Sequence, residues 1–167
     1  MNAGANRISI ALDAATEQIF DKVKGPSTHS PYNWKRHHRA LKQAVEVFGK
    51  NQVFTHLVVG LGETEKEISE AIQLCTDLGV LPSLFAFTPI PGTELEKTQQ
   101  PPIERYRRIQ ITRHLIVNRK TRYEKMKFDE KGQTTSFGIE KPQLKKTILE
   151  GKPFKTSGCP GCNRPYY

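Results

Sequence analysis

The strongest constraint on this chain is an alternation in its first two thirds. Three short segments rich in β-branched or aromatic residues read as buried strands: Arg7–Leu12 (RISIAL), Val53–Val59 (VFTHLVV) and Ser83–Phe87 (SLFAF). Between them the apolar period changes to that of a helix. Trp34, His37, His38, Leu41, Ala44, Val45 and Phe48 recur on one helical face, and Gly49 ends the run. Ile68, Ala71, Ile72, Cys75 and Leu78 form a second stripe, ended by Gly79. Thr64-Glu65-Lys66-Glu67 opens that helix as a capping box. A third helix is predicted from about Pro102 to Asn118, with Ile103, Tyr106, Ile109 and Leu115 inward and its arginines outward.

Strands that alternate with helices imply a parallel sheet with crossover connections, hence an α/β fold. In such a sheet each strand leaves at the edge where the next helix begins, and that edge is where α/β proteins place their sites. The segments predicted there are Asp13–Ala15, Gly60–Thr64 and Thr88–Thr93.

Beyond Asn118 the pattern changes. Lys125–Phe128 and Gln133–Phe137, joined by Asp129-Glu130-Lys131-Gly132, read as a β-hairpin. Residues 140–157 are Lys-rich without a clear period and read as a linker or wrapped tail. We therefore divide the chain at about residue 120, with residues 1–119 the βα units and 120–167 a basic extension. Charge follows the same division: residues 1–96 hold 9 Lys+Arg against 11 Asp+Glu, whereas residues 97–167 hold 17 against 6. That excess suits either an anionic partner or a merely solvated tail. The N-terminal residues lack a hydrophobic signal core and no apolar run is long enough to span a bilayer, so the expectation is a cytoplasmic protein without membrane contact.

Chemistry-bearing residues cluster at the predicted edge. In Val58-Val59-Gly60-Leu61-Gly62-Glu63-Thr64, two glycines at a strand-to-helix junction let the backbone approach a flat ligand, and the helix N-terminus favours an anion. The spacing fits neither a dinucleotide fingerprint nor a P-loop, and a plain tight turn is an equal reading. Asp13 could accept two hydrogen bonds from a ribose diol or could cap the following helix. Thr88-Pro89-Ile90-Pro91 is a stiffened loop that could wall an apolar ligand or simply be rigid. His37 and His38 open their helix near the same mouth, where a structural role is the ordinary one. His29, His56 and His114 carry no functional expectation, and Cys75 reads as a buried small hydrophobe.

Cys159-Pro160-Gly161-Cys162 has the spacing of half a zinc or iron–sulfur site, with a redox disulfide as the rival. The chain has 3 Cys, so a metal there needs ligands from elsewhere.

Taken together, Arg7-Ile-Ser-Ile-Ala-Leu-Asp-Ala, Thr55-His-Leu-Val-Val-Gly-Leu-Gly-Glu-Thr and Phe85-Ala-Phe-Thr-Pro-Ile-Pro-Gly-Thr-Glu-Leu resemble the second half of a radical S-adenosylmethionine (SAM) enzyme, within the biotin-synthase- and lipoyl-synthase-related group. The resemblance spans roughly residues 2–118, and the GCPGCNRPYY ending is similar to the same subgroup. It implies the C-terminal half of a partial (βα)6 TIM-like barrel with a basic C-terminal extension. It also implies that Asp13 accepts the SAM ribose hydroxyls, that Gly60, Gly62 and Glu63 pack near the adenine with Thr88, Pro89 and Ile90, and that His37 lies near the SAM carboxylate. Cys159 and Cys162 would ligate an auxiliary [4Fe–4S] cluster, with zinc as the alternative, in a transferase that inserts sulfur into a protein or small-molecule substrate. The family's Cys-x3-Cys-x2-Cys motif is not in this sequence. The cluster-bearing N-terminal half is therefore expected from another chain or is missing, and the chain should be inactive alone. The alternative from another class is a non-catalytic, basic metal-knuckle module binding nucleic acid; the order of the three motifs favours the enzyme half.

Overall fold

The computed structural model describes residues 4–156. It is a mixed α/β structure whose centre is a parallel three-stranded sheet in the order β1-β2-β3, with β1 at Ile8–Ser9, β2 at Val53–Val59 and β3 at Val80–Ala86. Helices α1 (Glu17–Val23), α2 (Trp34–Phe48), α3 (Glu65–Leu78) and α4 (Ile103–Val117) alternate with these strands. An antiparallel hairpin of β4 (Lys127–Phe128) and β5 (Thr134–Ser136) and helix α5 (Lys141–Leu149) complete it. None of the helices among the described residues is long and apolar enough to cross a membrane.

The expected strand at Arg7–Leu12 is shorter as a ladder, and one hydroxyl explains why. The Leu12 N–H donates to the Thr55 hydroxyl at 3.0 Å in place of a backbone carbonyl. Pairing resumes when the Asp13 N–H reaches His56 O (2.8 Å) and Val58 N–H reaches Asp13 O (2.8 Å), with Asp13 at φ 63°. β3 begins earlier than expected, because Gly79 ends α3 in the left-handed region and the chain passes directly into the sheet. Pro82 fits there because β3 is an edge strand.

Strand alternation divides the sheet's side chains between two faces. Leu12, Val53, Leu57, Val59, Val80 and Leu84 join Leu41 of α2, Ile68 and Ile72 of α3 and Ile109 and Ile116 of α4 in one buried cluster. On the other face stand Ser9, Phe54, His56 and Val58 with their neighbours Leu81, Ser83 and Phe85. His56, Val58, Leu81 and Phe85 of this face are only half-buried.

Three further expectations are corrected. The segment between Asp13 and the α2 helix contains a helix of its own, α1, capped by the Thr16 hydroxyl and anchored by the fully buried Phe20. Ile103 is 40% exposed rather than inward, whereas Ile111 and Ile116 are buried. Residues 141–149 are helical although their apolar period is weak, with Pro142 in the first turn and Thr147 buried. The extension also docks on the α3 side. Thr134 N–H donates to buried Glu65 (2.9 Å), Tyr123 N–H to Gln73 (3.0 Å) and Lys66 N–H to Gly132 O (2.9 Å).

Candidate functional site

All three predicted segments leave the sheet at one edge. Val59 lies beside Ala86 in register, Asp13 bridges to Leu57, and Phe87 N–H donates to Val59 O at 2.8 Å. The loops that follow these residues therefore emerge together, at the end where α3 begins.

The Gly60–Glu63 turn is closed by its own carboxylate. Gly60 N–H donates to Glu63 Oε1 and Leu61 N–H to Glu63 Oε2, each at 2.9 Å. Arg105 of α4 reaches the same Oε1 at 2.7 Å and also donates to the Glu63 carbonyl. The Glu63 side chain is 1% exposed, and burial raises its pKa against the lowering effect of these donors and of Arg105. The helix N-terminus beyond it is occupied too, since Thr64 and Glu67 cap each other's N–H groups. The turn is thus held from within by the Glu63 carboxylate, and the first N–H groups of α3 are capped.

The two glycines differ. A Cβ on Gly60 would come within 2.9 Å of Pro101 Cδ, whereas a Cβ on Gly62 would meet nothing within 4 Å. Both have positive φ, at 108° and 113°. Gly60 is needed for packing, and Gly62 presents open backbone at the mouth.

Asp13 does not cap a helix, because Thr16 does. Its Oδ2 accepts from Lys24 Nζ at 2.7 Å, with the Asp13 side chain 32% exposed. Lys24 also donates to Ala11 O (2.6 Å) and lies 5.6 Å from the Tyr32 ring centroid. Tyr32 in turn packs edge-on against His37 at 5.4 Å. Asp13 and His37 are therefore linked through Lys24 and Tyr32, two residues that the sequence did not single out. His37 is otherwise engaged structurally, with Nδ1 3.1 Å from Asn33 O and its ring against Phe20.

A cleft of about 380 Å³ opens beside the turn, between Gly60, Leu61 and Gly62 on one side and Leu95, Pro101 and Arg105 on the other. Asp13, His37, Glu63 and the Thr88–Ile90 loop do not line it. Thr88 accepts a hydrogen bond from Gln100 (3.2 Å), Pro89 is half-buried, and Ile90 is 62% exposed at the loop's tip.

Cys159 and Cys162 lie outside the described residues. Cys75 sits in the apolar cluster, and burial pushes its thiol up to about 12. Among the described residues there is no group of three or more His, Cys, Asp or Glu able to hold a metal.

Part of the basic second half is spent internally. Arg105 closes on Glu63, Arg108 on buried Glu65 in a bidentate pair (2.9 and 2.6 Å to Oε1 and 3.1 Å to Oε2), Arg113 on Pro82 O (2.5 Å) and Arg122 on Asp77. The arginines expected to point outward from α4 thus include three that fold back along their long stems. No family model, curated protein or solved structure matches the chain.

Proposed function

We propose that this chain is the C-terminal half of a radical SAM enzyme of the biotin- and lipoyl-synthase-related group, contributing three βα units of a partial (βα)6 barrel and inactive without the cluster-bearing half. The supporting observation is the convergence of Asp13, Gly62 and the Thr88–Ile90 loop at the strand-exit edge of a parallel sheet with helices packed on one face. A parallel sheet ordinarily has both faces covered, so the second face suits further protein.

The residues fit part of a SAM pocket. In this reading partly exposed Asp13, held by Lys24 through one oxygen, accepts the ribose hydroxyls. Gly62 leaves backbone open to the flat adenine, and the exposed Ile90 at the tip of the neighbouring loop supplies apolar surface at the same sheet edge. Glu63 and Arg105 shape the turn from behind, and His37 positions Tyr32 and Lys24. Together with the other half's cluster, SAM would supply the radical chemistry; this chain binds and orients. Cys159 and Cys162 are the residues that would hold the auxiliary [4Fe–4S] cluster, or zinc, in sulfur insertion.

The test pairs the chain anaerobically with a half carrying Cys-x3-Cys-x2-Cys and measures SAM binding by calorimetry. We expect weak or no binding by the chain alone, binding by the pair, and its loss in Asp13→Ala. Tight binding without the partner, or unchanged affinity in Asp13→Ala, would overturn the reading. Iron and sulfide content should fall in the Cys159→Ala/Cys162→Ala pair.

A further inference from the structure

The opposite edge of the sheet carries a second concavity, larger than the first and chemically unlike it. Its volume is about 570 Å³, within the range of small-molecule pockets. Lys50 enters it from the approach to β2, and Arg119, Lys120, Arg122 and Lys125 from the segment after α4. The backbone fixes these positions. Asn51 N–H donates to Gly79 O (2.7 Å), Arg119 turns the chain at φ 56°, and Lys120 N–H folds back to Leu115 O (2.8 Å).

Among the described residues Asp77 is the one carboxylate lining the cleft, and Arg122 already holds it with bonds of 3.1 and 2.9 Å. Lys50, Arg119, Lys120 and Lys125 are exposed and close no ion pair among the described residues. The C-terminal ends of α3 and α4 point here, but two helix dipoles supply only about half a negative charge each. Five cations against Asp77, against Glu124 beside Arg122 (3.1 Å) and against two helix ends leave a positive excess.

Of the neutral polar side chains lining the cleft, all but Asn51 are held within the protein. Gln73 bonds Asp77 and Tyr123 N–H, Thr76 bonds Ile72 O, and Thr121 bonds Gly138 O. No aromatic ring lines the cleft among the described residues. Recognition here is thus mainly by charge, without the stacking platforms that single-stranded nucleic acid uses. We infer that this cleft binds a compact, multiply charged phosphate-bearing anion of the size of a di- or triphosphate group. The inference is independent of the SAM reading, which concerns the other edge of the sheet.

The experiment titrates pyrophosphate and tripolyphosphate into the full chain by calorimetry at low salt. It compares wild type with Arg119→Gln/Lys120→Gln/Lys125→Gln, and with a control triple, Lys141→Gln/Lys145→Gln/Lys146→Gln, that removes equal charge from α5. All six side chains are exposed, and a thermal melt of each variant checks folding. The expected result is saturable binding that weakens about tenfold or more in the cleft variant and changes less than about twofold in the control. Equal weakening in both variants would reduce the effect to diffuse charge, and absence of saturation at millimolar ligand would remove the site; both overturn the inference. A single-stranded RNA oligonucleotide that bound more tightly than tripolyphosphate, and lost that binding in the cleft variant alone, would overturn it in favour of a nucleic-acid surface.

Discussion

On one face of the sheet Leu57 and Val59 are fully buried under α2, α3 and α4; on the other, Val58 and Phe85 stand side by side and half-open. The two faces are built from the same strands, one residue out of step. The covered face is finished by apolar contact and by long side chains that return to it, such as Arg108 on Glu65. The other face carries His56 in reach of Ser9 (3.4 Å) and against Phe85 (4.9 Å between ring centroids). The three helices α2, α3 and α4 seal one side, whereas on the other Phe54 and Ser83 are buried while His56, Val58, Leu81 and Phe85 are half-buried.

The sharpest way to break this comparison is to truncate neighbouring residues on opposite faces. Leu57→Ala should cost about 2–5 kcal/mol, the usual range for a sealed core leucine. Val58→Ala should cost less, about 1 kcal/mol, since Val58 is only partly buried. Urea denaturation of both variants gives the values. Similar losses would mean that the chain itself closes the open face.

Arg105 tests the closed side at the mouth. Arg105→Ala leaves the Glu63 carboxylate buried with only backbone donors, at an expected cost of about 2–3 kcal/mol. Glu63→Gln should cost less, because it removes the charge along with its need for a cation. The reverse order of the two would mean that the turn does not depend on that ion pair.

How far the sequence carried the reading depends on the range of each interaction. The α2 and α3 helices were legible because their signals are local: Gly49 and Gly79 at the ends, and Thr64 with Glu67 at a start. The site edge was legible for the same reason, since strand-to-helix junctions are local. What escaped was set at a distance. Arg105 and Glu63 are 42 positions apart, and Lys24 reaches Asp13 from a seven-residue helix anchored by one phenylalanine. Nor could spacing show that the Glu63 carboxylate would hold its own turn from within.

The turn glycines sharpen the comparison on a smaller scale. Alanine at either 60 or 62 must adopt positive φ, at about 1–2 kcal/mol. Only at 60 does it also press on Pro101, so Gly60→Ala should be the more destabilising in thermal denaturation. Equal effects would mean that Pro101 yields, and that the turn is no more closed at 60 than at 62.

The smallest expected effect is a pH dependence arising from two histidines. His38 packs against Trp34 at 4.4 Å, and the Nε2 atoms of His38 and His114 are buried without a hydrogen-bond partner among the described residues. Burial lowers the pKa of both; His37 adds to the shift at His38, and Lys120, Arg113 and Lys152 add to it at His114. The sign follows from proton uptake. As pH falls through the ordinary histidine value of 6.5, the unfolded chain takes up protons that the folded chain still refuses. Stability should therefore be fully present above that pH and decline below it, until the folded histidines also protonate. Thermal melts from about pH 7.5 to 5.5 bracket that value while staying above the ordinary carboxylate range. His38→Gln and His114→Gln should each flatten the decline, and the double variant should flatten it most. An unchanged slope in the double variant would assign the decline to other groups, and would mean that the cover over these two rings is looser than that over Leu57.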